Sequence, residues 1–120
     1  MKTILSIFSL VLLLSGCERM DNFGYPSKVS FGREGGIKVV SGDHYLYNLE
    51  IADYNGDGAG SENSLDDDSL IVTYKWLTIK AKTWDNNLTI IAEPNPTGKS
   101  RKLYIYGGVT DQFAEIKVTQ

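Results

Sequence analysis

The chain reads as all-β: an antiparallel sandwich of seven or eight short strands behind an apolar leader that stands outside the fold. Three observations predict this. After residue 27, apolar residues alternate with polar ones or gather in short runs that favour β-branched and aromatic types. Clusters of Gly, Pro, Asn and Asp punctuate those runs. No stretch holds a helical period over several turns.

The leader comes first. Lys2 supplies a short basic region, and Ile4 to Leu14 is apolar apart from Ser6 and Ser9. That run is too short to span a bilayer, which takes roughly 20 residues, and it has the layout of a secretory signal. Ser15 and Gly16 precede Cys17, the chain's one cysteine. "LSGC", residues 14 to 17, resembles the lipobox of bacterial lipoproteins. The resemblance implies cleavage after residue 16 and a lipidated Cys17. Each buried acyl CH₂ contributes roughly 0.8 kcal/mol, so several acyl chains make attachment effectively permanent. With that sulfur consumed, the chain forms no disulfide and carries no thiol chemistry. Stability must then come from core packing, which a domain of about 100 residues supplies alone.

Residues 1–16 are thus a signal peptide, 17–27 a lipidated tether ("CERMDNFGYPS"), and 28–120 the domain. Strands are expected near 28–32, 36–41, 44–51, 69–75, 76–82, 87–93, 101–106 and 113–119. The turns are "REGG", "SGD", "WDNN", "PNPTG" and "GGVTD". Side chains alternate across a strand, so each run has an inward set. Leu77, Ile79 and Ala81 form one; Leu88, Ile90 and Ala92 another. Leu103 and Ile105 face away from Tyr104 and Tyr106, and Ile116 pairs with Val118. Tyr45, Tyr47, Leu49 and Ile51 form a further inward stripe, and Trp76 anchors the core at a strand start.

Net charge is −3, and its distribution is uneven. From Asp43 to Asp68 the charged residues are all acidic; from Lys75 to Lys102 basic residues dominate. Net charge and location speak against nucleic acid as a partner.

Four segments together carry a family resemblance: "VSFGREGGIKVV" (29–40), "WLTIKA" (76–81), "LTIIAEPNPTGKSRKLYIYGG" (88–108) and "AEIKVTQ" (114–120). They share a Gly-Gly turn, a Trp opening a middle strand, an Asn followed by Thr-Gly and a basic pair, and a closing Val-Thr-Gln. In that order they resemble the BACON domain, Bacteroidetes-associated, carbohydrate-binding, often N-terminal. The resemblance implies an immunoglobulin-like β-sandwich in the cell envelope that engages glycan or mucin, and an outer membrane lipoprotein. The membrane face stays open; "CERMD" lacks a dense acidic export run, which favours the periplasmic side. "DSL", residues 68 to 70, resembles an O-glycosylation pattern of such envelopes, with Ser69 as the acceptor.

"DYNGDG", residues 53 to 58, begins like an EF-hand loop. Asp53, Asn55, Asp57 and Gly58 fit its first six positions, but position 12 is Ser64, Glu62 falls at position 10, and no flanking helix is expected. A looser calcium site from Asp53, Asn55, Asp57 and Glu62 and a plain acidic turn both remain consistent with the residues, because Asn-Gly and Asp-Gly are turn dipeptides. No other cofactor is expected.

Sugar rings offer C–H faces and hydroxyls, so aromatic faces and amides would bind them. Trp84 in "TWDNN", beside Asp85, Asn86 and Asn87, is the leading candidate, with Tyr104 and Tyr106 if they face outward. Catalysis is not expected. The one histidine, His44, has no recognisable partner motif, and no phosphate loop or zinc spacing is present. The function expected is a non-catalytic glycan- or mucin-binding envelope lipoprotein. The alternative is an accessory lipoprotein that docks on another envelope protein by strand addition or by its acidic loop.

Overall fold

The computed structural model describes residues 22–61, 69–82 and 84–120. The leader, Cys17, Glu62 and Asp66 to Asp68 lie outside the described residues. Nine strands form in chain order: β1 Lys28–Ser30, β2 Gly36–Ser41, β3 Leu49–Ala52, β4 Gly58–Gly60, β5 Ser69–Tyr74, β6 Leu77–Lys82, β7 Asn87–Ala92, β8 Lys102–Val109 and β9 Gln112–Thr119. They make two sheets. One runs β1-β9-β8-β3-β4 and the other β2-β7-β6-β5. The two inner faces enclose one apolar core, so the chain is an all-β sandwich.

The pleat explains the core. Leu77, Ile79 and Ala81 of β6 and Leu88, Ile90 and Ala92 of β7 point inward from the four-stranded sheet. Leu103, Ile105, Ile116 and Val118 oppose them from β8 and β9. Each such aliphatic side chain contributes roughly 1.5–3 kcal/mol by leaving water. Trp76 is buried as expected, in the two-residue loop between β5 and β6.

Three expectations need correction. The strand expected over 44–51 exists only from Leu49 onward, and residues 43–48 are irregular. Leu46 turns inward there, while Tyr45 and Tyr47 lie exposed, so the four-residue stripe is half wrong. The Gly107–Gly108 pair is not a turn but lies within β8, next to the loop end of a long β8–β9 hairpin whose loop is Thr110–Asp111. A Cβ on Gly107 would meet Leu46 at 2.7 Å, and one on Gly108 would meet Asn48 and Tyr47 at 2.5 and 2.6 Å. The glycines are there for close approach. Finally, the sandwich is not purely antiparallel: β1 pairs with β9 in parallel, Val29 opposite Val118.

The β3–β4 hairpin was also unforeseen. "GAG" has no apolar pattern, and β4 exists through backbone pairing with β3. Gly58 sits so close to Ile51 that a Cβ would overlap the Ile51 carbonyl oxygen.

Residues 22–25 pack onto the domain. The Asn22 side chain bonds both the N–H and the carbonyl of Glu115, at 2.9 Å each. Tyr25 is fully buried, and its hydroxyl donates to the carbonyls of His44 (2.5 Å) and Asn86 (3.3 Å).

Candidate functional site

The loops at the two ends of the sandwich differ in character. At the first end stand residues 22–25, the β2–β3 connection (42–48), the β6–β7 turn around Trp84, and the Thr110–Asp111 loop. Trp84 is 75% exposed, and its ring lies 4.8 Å from that of Tyr45, tilted by 54°. Such offset aromatic pairs are mutually stabilising while leaving ring faces open. His44, Tyr45, Tyr47, Val109 and Thr110 line a shallow recess of about 230 Å³. That is below the roughly 300–1,000 Å³ of enclosing ligand pockets, so a ligand here would lie across the rings. The Phe23 ring meets His44 edge-on at 5.9 Å.

Three of the four non-glycine residues with positive φ among the described residues lie here, the fourth being Lys75 at the opposite end. Phe23, Trp84 and Thr110 have φ of 57°, 70° and 56°, a region that costs L-residues roughly 1–2 kcal/mol. Phe23 and Thr110 hold tight connections. Trp84 holds one too, since the Asp85 N–H returns to the Lys82 carbonyl at 3.1 Å across it, and its side chain faces water.

The polar residues beside Trp84 mostly build the loop. The Asn86 amide donates to the Gly42 carbonyl at 2.7 Å, and the Asn87 amide oxygen accepts from the Ser41 hydroxyl at 2.5 Å. One Asp85 oxygen accepts from the Asn87 N–H at 3.3 Å. The second Asp85 oxygen and the Asn86 amide oxygen have no protein partner among the described residues. They can accept from hydroxyls next to the rings.

Tyr104 and Tyr106 do not join Trp84. They are half-buried on the outer face of the five-stranded sheet, opposite Lys117 and Glu115 on β9. Burial, the Glu115 hydrogen bond and nearby negative charge raise the Tyr106 pKa. Sequence reasoning missed Tyr45 and Tyr47 because a period-2 pattern was carried through a segment that is not a strand. Ser69 opens β5, half-buried.

"DYNGDG" lies at the other end and is the β3–β4 hairpin loop. Asp53 organises it. Its Oδ1 accepts the N–H groups of Asn55 (2.9 Å) and Asp57 (3.0 Å). Its Oδ2 accepts the Tyr74 hydroxyl at 3.2 Å and faces Lys75 Nζ at 3.7 Å. Burial pushes the Asp53 pKa up, but the two N–H donors, Tyr74 and Lys75 outweigh it, and the net shift is downward. Asn55 and Asp57 are exposed, and Glu62 lies outside the described residues. Among the described residues, no three His, Cys, Asp or Glu side chains gather as a metal site requires.

The same end holds a latch. Arg101 lies over the Trp76 ring at 4.6 Å and donates to Gln120 Oε1 at 2.7 and 2.9 Å. Gln120 in turn donates to the carbonyls of Gly32 and Glu93. Buried Asn95 accepts from Thr97 and donates to the Lys99 carbonyl at 2.8 Å. The Trp, the Asn-x-Thr-Gly and the closing Gln that stand apart in the sequence are therefore one cluster.

A second depression, about 390 Å³, lies on the outer face of the four-stranded sheet between Val39, Ile71, Lys80, Lys82 and Thr89. Beside it β2 is a free sheet edge with Ile37 and Val39 exposed.

The chain matches no family model and none of the curated proteins. Among solved structures it is similar to a protein from Bacteroides thetaiotaomicron determined by NMR, with a TM-score of 0.55 and 21% identity over 81% of each chain. At that identity the likeness concerns the fold alone.

Proposed function

We propose that this chain is a lipid-anchored, non-catalytic binding module of the cell envelope, that its ligand is a glycan or mucin saccharide, and that the Trp84 end binds it. One observation carries the reading. Trp84 has three-quarters of its surface in water, its ring tilted against that of Tyr45 and flanked by acceptors on Asp85 and Asn86 that have no protein partner among the described residues. Flat aromatic faces with adjacent acceptors suit a sugar's C–H face and hydroxyls. The two-sheet architecture and the ordered motifs around Trp76, Asn95 and Gln120 are consistent with an immunoglobulin-like, BACON-type module. Cys17 supplies the anchor to an outer membrane.

A glycan and mucin array with residues 18–120 tests this, run in millimolar calcium and in chelator. Saturable binding that disappears in Trp84→Ala, with stability lowered by no more than about 1.5 kcal/mol, the worth of a lost aromatic pair, is the expected result. Absence of binding to every sugar would sink it. Loss in chelator alone would return Asp53, Asn55 and Asp57 to consideration as a calcium loop.

A second reading rests on β2. Its open edge, with Ile37 and Val39 exposed, suits strand addition by another envelope protein. Co-purification of a partner lost on Val39→Pro, without sugar binding, would favour it.

A further inference from the structure

The chain enters the domain at the aromatic end. Asn22 is bonded to Glu115, three residues into β9. The Phe23 carbonyl accepts from the Asp43 N–H at 2.7 Å, and Tyr25 joins His44 to Asn86. Phe23 meets His44 edge-on, His44 precedes Tyr45, and the Tyr45 ring packs tilted against Trp84. The entry point and the candidate site therefore share one surface.

The tether is short. Five peptide steps separate Cys17 from Asn22, a contour of at most about 18 Å. β8 alone, with eight residues, spans roughly 26 Å along the sandwich. If Cys17 is in the membrane, the Trp84 end is held next to it, and the "DYNGDG" end stands away from it.

Charge narrows what is met there. The segments 22–25, 42–48, 84–86 and 110–113 contain Asp43, Asp85 and Asp111 and no Lys or Arg, and the exposed Lys82 that opens the Trp84 turn lies beside Asp85 on the outer sheet face. Surfaces that sit on phospholipid headgroups use Lys and Arg, because the lipids are anionic. An acidic aromatic end is ill-suited to a bare anionic bilayer and suited to uncharged, hydroxyl-rich groups at the same height.

We infer that the saccharide taken by the Trp84 end belongs to the anchoring membrane itself: the sugar headgroup of a glycolipid, not a distant free polymer. This rests on the lipid-anchored, sugar-binding reading above.

The experiment uses the acylated full chain, its acylation verified by mass, inserted in two kinds of vesicle. One is made from the total envelope lipid of the producing cell, glycolipids included. The other contains phosphatidylethanolamine and phosphatidylglycerol only. The chain has two tryptophans, so Trp76→Phe leaves Trp84 as the sole reporter, and Trp84→Phe leaves Trp76 as the control. The expected result is a several-fold loss of iodide quenching of Trp84 in the glycolipid vesicles only, with Trp76 unchanged between the two. Equal protection of Trp84 in both vesicles would overturn the inference in favour of the bilayer. Full quenching in both would overturn it too. The array then separates the causes: positive, the ligand is elsewhere; negative, the sugar reading itself has failed.

Discussion

Tyr25→Phe removes one oxygen from the most enclosed aromatic ring of the domain. The ring keeps its packing, but the carbonyls of His44 and Asn86 lose their shared donor. A buried polar group left without its partner costs about 1–3 kcal/mol, so that loss is expected at pH 7. The hydroxyl also titrates abnormally. Burial, with Asp85 and Asp43 nearby, pushes its pKa from 10.0 to about 12. The folded state therefore disfavours the phenolate. Its contribution is intact below the unfolded value of 10.0 and is lost as pH rises through about 12. One pKa unit corresponds to 1.36 kcal/mol, and allowing for solvent screening near the loop surface leaves a fall of about 1–2 kcal/mol. The variant lacks this fall. Urea unfolding of both proteins at pH 7 and about pH 11.5, followed by fluorescence, measures it. The stability gap should narrow by about 1–2 kcal/mol at the higher pH. An unchanged gap would refute the titration argument, and equal stability at pH 7 would refute the hydrogen-bond argument.

Trp84→Gly should be about 1 kcal/mol more stable than Trp84→Ala, because glycine accepts φ 70° freely and both lack the ring, and both should abolish sugar binding. Thermal melts and the array report these separately. Asn95→Ala should destabilise by about 2 kcal/mol or more, since the Lys99 carbonyl and Thr97 lose their partner; equilibrium unfolding checks it. Asp53→Asn should flatten the acid side of the stability profile. The lowered Asp53 pKa stabilises the fold above the ordinary carboxylate range, and that contribution is lost as pH falls through the folded value. Melting temperatures from pH 7 down to about pH 3 should converge for the two proteins as acid is added.

Much of the sandwich was legible because burial on one face enforces alternation. β6, β7 and β9 show it, as does β8 up to Ile105. Legibility failed where backbone geometry overrode side-chain pattern. β4 is three small residues held by pairing with β3, and Gly107–Gly108 are strand glycines pressed between Leu46 and Tyr47. Tyr45 and Tyr47 kept a strand period through an irregular connection, which hid half of the aromatic surface. Trp84 was legible as a turn aromatic; its stacking partner was not. "DYNGDG" looked like ligands in a row, yet Asp53 spends its carboxylate on its own loop. Tyr25, in what read as tether, is enclosed because its hydroxyl has two carbonyls to meet.

The parallel pairing of β1 with β9 has a mechanical side. β1 leaves the Trp84 end and β9 runs beside it toward Gln120 at the other. A pull between residue 22 and Gln120 draws the two strands past each other lengthwise, so their ladder is loaded in shear and its bonds resist together. Rupture under force follows the unfolding barrier more than equilibrium stability. Traction applied at residue 22 and Gln120 thus loads this ladder along its strands and does not peel it open pair by pair.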